Sequence, residues 1–199
     1  MDESLVMRWL SRVGMMAAAL VVQVGQGHAA VITAVDPAKS EIRFLGKQMG
    51  VAAEGRFKKF DVAIQLDTGK LTASRVTVTI DVASIDTGAR ESDDEVRGRA
   101  WFDAGNHPTA KFVLTRVKSV GATDYEANGQ LTVKGKTHDV LVAFSVKPNG
   151  SASIIEGSFP MKRLQFALGE GPWTDTDTVA DDVMVRFHFQ SATKPASPK

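Results

Sequence analysis

Between Ser40 and Ala192 the chain repeatedly places an apolar residue on every second position. The segment from Val76 to Val82 shows this most clearly: Val76, Val78, Ile80 and Val82 share one side, and Thr77, Thr79 and Asp81 share the other. That period of two belongs to a half-buried β-strand, with one face against a core or cavity and one face in water. A chain built of such segments folds as sheet, and its function depends on what the apolar face encloses.

The N-terminal segment has a different pattern. Arg8 and Arg12 precede an apolar stretch from Val13 to Val24, which is too short to cross a membrane. Gly27 and Ala29 then sit at the −3 and −1 positions of a signal-peptidase site, with cleavage after Ala30 as the alternative. The expectation is a secretory leader over residues 1–29, with Met7 a more typical start than Met1 because Asp2 and Glu3 fit a basic n-region poorly. The expected destination is the periplasm. The chain has no cysteine, which removes thiol catalysis, haem attachment through Cys and a Cys-linked lipid anchor. Stability then rests on a hydrophobic core, which roughly 170 remaining residues can supply. The formal net charge of +1 argues against nucleic acid as a partner.

Along the chain, Asp36-Pro37 with Lys39 marks a turn after a short lead-in strand. Strands are expected at Ser40 to Leu45, Ala53 to Leu66, Val76 to Val82, Ala110 to Lys118, Tyr125 to Val133, Thr137 to Val146, Ser153 to Met161 and Val183 to Gln190. Phe57 and Phe60 are out of phase within the second of these, so a bulge or sharp bend is expected between them. Asn128-Gly129 would ordinarily mark a hairpin, but it lies in phase inside a strand, so the turn is placed at Lys134-Gly135-Lys136. Glu91 to Arg99 breaks the pattern and reads as one short helix, with Ser92 and Glu95 at capping-box spacing. Residues 193–199 read as a disordered tail, leaving one domain over residues 30–192. About eight strands and one helix make an all-β antiparallel barrel, either filled by side chains or holding one small ligand.

No catalytic cluster is visible. His107, His138 and His188 lack metal-ligand spacing and read as surface residues. Asp175, Asp177, Asp181 and Asp182 lack the glycine and closing glutamate of a calcium loop and read as turn and cap residues. The expectation is a non-enzyme with neither cofactor nor metal. The apolar supply is large: Phe44, Phe57, Phe60, Val62, Ile64, Trp101, Phe102, Phe112, Phe144, Phe159, Phe166, Trp173, Phe187 and Phe189 are the candidate ligand-binding residues. Each alone is equally a core residue; together they could line a lipid-holding interior. Arg56, Lys58, Lys59, Lys162 and Arg163 lie near expected strand ends. They read as solvated charge, with a rim for a polar head group as the alternative.

Several of these pieces carry a resemblance. They are Ser40 to Phe44, Gly55 to Phe60, Ala83 to Gly88, Trp101-Phe102-Asp103 with His107-Pro108, Ala110-Lys111-Phe112, Gly129 to Gly135 and the Val183 to Phe189 strand. Their order and spacing, from about Val35 to Ala192, resemble the YceI-like family of secreted bacterial proteins. The resemblance implies an extended lipocalin-like antiparallel barrel whose interior binds a long isoprenoid chain, a polyprenyl lipid or the tail of a quinone, held non-covalently. Gln48 to Val51 and Gly169 to Trp173 resemble the branch associated with cytochrome b561-type membrane proteins, which implies such a protein as a partner. The alternative function is therefore an accessory subunit carrying a structural lipid. A homodimer is left open.

Overall fold

The computed structural model describes residues 29–192. The expected leader, apart from Ala29, and the expected tail lie outside the described residues. The strands are β1 (Val31–Ile32), β2 (Glu41–Gln48), β3 (Val51–Phe57), β4 (Phe60–Asp67), β5 (Arg75–Asp81), β6 (Ile85–Asp86), β7 (Thr109–Ser119), β8 (Asp124–Val133), β9 (Lys136–Asn149), β10 (Ala152–Lys162) and β11 (Asp182–Gln190). One helix, α1 (Arg90–Arg97), follows β6. The strands form a single antiparallel sheet in the order β1-β4-β5-β7-β8-β9-β10-β11-β2-β3-β6. The sheet curls strongly into a half-barrel.

The all-β class, the antiparallel pairing and the single short helix match expectation. The strand count is eleven rather than eight. Beyond the eight, β1 is the short lead-in strand expected before Asp36-Pro37, and β6 is only two residues long, too short for a period to show. The third comes from the stretch read as one strand from Ala53 to Leu66. Of the bulge or sharp bend expected there, the chain takes the bend. It breaks at Lys58-Lys59, where the Lys58 and Lys59 amides donate to the carbonyl and hydroxyl of Ser84. β3 then pairs with β2 and β6, while β4 pairs with β1 and β5. The odd spacing of Phe57 and Phe60 marks a passage between two parts of the sheet.

The β8–β9 turn falls at Lys134-Gly135, with φ of 47° and 72°. Gly129 sits inside β8 opposite Val140, as its phase requires. The helix departs from expectation at its start. Its N-cap is Ala89, with no side-chain cap bond, and Ser92 lies inside the first turn. The Asp93 carboxylate reaches back instead, accepting from the Thr87 amide and hydroxyl at 2.7 Å each. These two bonds start the helix earlier than a Ser92 cap would, and they hold the Asp93 carboxyl below its ordinary range.

The core behind the sheet's inner face is apolar and falls into two clusters. Ile32, Ile42, Leu66, Val78, Ile155 and Phe189 are buried in one cluster. Leu131, Val133, Phe159, Phe166 and Leu168 are buried in the other. The open edge is bridged at one end by the N-terminal segment: Ile32 pairs with Leu66 on β4, and Val35 pairs with Ser191 beyond β11.

Candidate functional site

The half-barrel encloses two adjoining cavities. The wider has a volume of 660 Å³ and the narrower 110 Å³. Ile42, Ile80, Leu131, Phe159 and Val185 line both, forming a waist contributed by five strands. The wide cavity alone falls within the roughly 300–1,000 Å³ common for small-molecule sites.

The narrow compartment is lined only by aliphatic and aromatic side chains. Among the candidate residues, Ile64, Phe112, Phe144, Phe187 and Phe189 line it, and Phe159 reaches it at the waist. Phe44, Phe57, Trp101, Phe102 and Trp173 line the wide compartment. Three candidates line neither. Phe60 and Val62 pack into the wall, with the Phe60 ring 5.9 Å from Phe189. Phe166 is buried away from the lumen, edge-on to His138 at 4.9 Å, because the short turn after β10 folds back over β9. His138 is therefore packed rather than a free surface group.

Glycines on the inner face help to keep the lumen open. Gly55 pairs with Phe44 across β2–β3. Gly157 pairs with Phe187 on one side and Phe144 on the other. A Cβ at Gly55 would collide with the Phe44 ring, one at Gly129 with Phe112, and one at Gly157 with Phe187 and Phe144. Each ring lies over a bare backbone patch, flat against the wall. A larger residue in any of these places would push a ring into the cavity.

Three elements frame the wide end. The β2–β3 hairpin contributes Gly46 and Gln48, α1 contributes Glu91, Ser92, Glu95 and Val96, and the segment between β10 and β11 contributes Arg163, Leu168 and Trp173. The Trp173 indole donates to Glu95 at 2.8 Å, clasping the last of these to α1. Arg97 holds the helix down by donating to the Ala83 and Ile85 carbonyls.

Arg163 contradicts the reading of solvated charge. It is 2% exposed. Its Nε donates to Ala180, Nη1 to Leu168 and Gly169, and Nη2 to Trp173 and Val179, all at backbone carbonyls. The guanidinium also lies 5.3 Å from the centre of the Trp101 ring. Burial pushes its pKa down, opposed by nearby Asp181, and the carbonyl cage satisfies the charge. Gly169 has φ of +83°, and a Cβ there would strike the Arg163 guanidinium, so this glycine is required twice over. Residue type alone does not mark Arg163 as different from Lys162, which reaches outward to Asp182 at 2.7 Å. The signal lies in phase: Met161 and Arg163 fall on the same side as Phe159.

The remaining basic candidates are not buried. Arg56 and Lys58 both reach Asp86, at 3.1 and 3.3 Å, and hold its carboxyl below the ordinary range. Asp175 accepts from the Asp177 amide and the Thr178 hydroxyl, so it shapes its own turn. Among the described residues, the Trp101 indole N–H is the single buried side-chain polar atom without a partner.

The comparisons with known proteins agree with this architecture. The family described as the YceI-like domain matches residues 34–191. A UPF0312 protein of Ectopseudomonas mendocina is 38% identical over 130 residues, covering 61% of this chain and 68% of that one. A UPF0312 protein of Azotobacter vinelandii is 36% identical over 89 residues, and the match spans 46% of its length. Among solved structures, Burkholderia cenocepacia BcnA superposes with a TM-score of 0.77 at 41% identity, covering 79% of this chain and 99% of that one. A polyisoprenoid binding domain from Saccharophagus degradans shares the fold, with a TM-score of 0.64 at 14% identity and coverage of 84% and 100%. On the match over residues 34–191, the chain belongs to the YceI-like domain family.

Proposed function

We propose that this protein binds a long-chain isoprenoid lipid, of polyprenyl or quinone type, as a carrier or sequestering protein rather than an enzyme. The observation that carries the reading is the joined pair of cavities, one edged by polar groups and one wholly apolar. At about 0.8 kcal/mol per buried CH₂, a tail of several isoprene units supplies the affinity by itself. The description of the Saccharophagus structure as polyisoprenoid binding supports the same ligand class. The site of action is proposed to be the periplasm, reached through a leader over residues 1–29. N-terminal sequencing of the exported protein tests that part.

The main test is mass spectrometry of an organic-solvent extract of protein purified from its own compartment without detergent. A stoichiometric polyprenyl or quinone species is expected. Protein that emerges empty, and fails to take up such a lipid afterwards, would sink the reading.

A second reading is an accessory subunit of a cytochrome b561-type membrane protein. One observation favours it. Met49 and Val51, at the β2–β3 tip, are 77% and 70% exposed beside the wide compartment. The two segments that resemble that branch, Gln48 to Val51 and Gly169 to Trp173, both border this compartment. Co-purification with a membrane cytochrome, lost in a Met49→Gln/Val51→Thr variant, is the result that would favour it over free carriage.

A further inference from the structure

The wide compartment holds the only polar groups that a ligand's head could meet inside the described cavities, and their charges are not balanced evenly. Resting on the lipid-binding reading above, we infer that this compartment selects an uncharged head group and rejects a phosphate-bearing one.

The cations beside it, Lys47 apart, are already committed. A guanidinium has five N–H donors. In Arg163 all of them end on backbone carbonyls, so the one buried cation in the wall has none left for an anionic head. Arg97 is taken by Asp93, Asp94 and two carbonyls. Arg56 and Lys58 share Asp86, and Lys134 is held by Glu170 at 2.7 Å. Lys47 borders the compartment as well, but it is exposed, and the Glu54 carboxylate from the facing strand borders the same cavity.

The anions are placed differently. Glu91 and Glu95 are one helical turn apart on α1, both bordering the cavity. Glu95 accepts from the neutral Trp173 indole, which leaves its charge in place. A phosphate head would meet three carboxylates, Glu54, Glu91 and Glu95, against the single exposed lysine Lys47. An alcohol, a quinone carbonyl or an amide meets Ser92, Thr87 and Gln48 at the same edge and suffers no repulsion.

Geranylgeraniol and geranylgeranyl phosphate carry the same tail and differ in this charge. Their affinities are compared by displacement of a fluorescent fatty probe from the full chain, in low salt. The alcohol is expected to bind about tenfold tighter, a ratio that shrinks as salt rises. In Glu91→Gln/Glu95→Gln the preference should narrow severalfold. The glutamine oxygen still accepts from Trp173, so the clasp survives. Glu91→Lys, at an exposed position, should move the ratio further toward the phosphate.

Equal binding of the two lipids, or tighter binding of the phosphate, would overturn the inference. So would a preference that the glutamine variants leave untouched, since a merely structural role for α1 would lower both affinities together. If neither lipid binds, the lipid-binding reading itself fails, and this inference fails with it.

Discussion

The two compartments share a waist but are built by opposite means. The narrow one is made of strand residues alone, each placed by the two-residue period, and the N-terminal segment seals its end. The wide one is half strand and half irregular backbone: a short helix, a hairpin tip and the long connection between β10 and β11. A strand wall is held by its ladder. An irregular wall must satisfy its backbone groups some other way, and here one buried arginine satisfies five carbonyls of that connection. The tail end is therefore set by hydrophobic pattern, and the head end by individual polar contacts.

That contrast is broken most severely at Arg163. Arg163→Met keeps the stem and removes the donors, leaving five carbonyls unpaired in a dry site. A loss of about 4 kcal/mol in urea unfolding is expected. Arg163→Lys, with three donors at most, should fall between the two. A loss below about 1 kcal/mol would mean that the connection holds itself and that the two walls differ less than their structures suggest.

Glycine substitutions separate the compartments. Gly157→Val drives Phe144 and Phe187 toward the narrow lumen, while Gly55→Val drives Phe44 toward the wide one. Each should destabilise by about 1–3 kcal/mol through overpacking. Their effects on binding should diverge. Gly157→Val should remove most of the gain from lengthening the tail, and Gly55→Val should weaken short and long lipids alike. Titrating prenols of increasing length against both variants checks this. Identical length dependence in the two would show that the cavities do not act as separate zones.

The waist offers a milder probe. Val185→Phe adds a ring where both cavities meet. A short prenol should still bind, while a long one should lose affinity about tenfold, the equivalent of roughly two buried CH₂ groups. Unchanged binding of the long lipid would mean that the tail does not pass the waist.

How much of this was legible in the sequence follows the same division. Alternation placed β4, β5, β8, β9, β10 and β11 and their inward faces, because a half-buried strand writes its geometry directly into every second residue. It also kept Gly129 inside β8 against its turn-like dipeptide. It could not show why Gly55 and Gly157 are glycine, since the phenylalanines that need their space lie on neighbouring strands. It separated most wall residues from the truly buried ones poorly: Phe166 reads like any other aromatic, yet a turn hides it behind β9. Arg163 was misread for a related cause. Its carbonyl partners extend as far as Ala180, and no local rule connects an arginine to a loop that has not yet been placed. The Ser92 cap failed because Thr87, outside the helix, offered Asp93 two donors at once.

The smallest expected effect concerns the helix that frames the wide end. The Asp93 carboxyl is held below its ordinary value, first by the Thr87 amide and then by the Thr87 hydroxyl and Arg97. Because the folded value is depressed, its stabilisation is present above the unfolded value of about 4 and is lost as pH falls through the folded one. Acidification below pH ~4 should therefore loosen α1 and release the Glu95–Trp173 clasp before the sheet unfolds, since no strand ladder depends on Asp93. Tryptophan emission should then change in a step that far-ultraviolet circular dichroism of the sheet does not follow. Asp93→Asn keeps an acceptor for Thr87 but carries no charge. It should destabilise by about 1 kcal/mol at neutral pH and shrink this early step. Coincident loss of both signals would mean that α1 is bound into the fold as firmly as the strands, and that the wide end is as rigid as the narrow one.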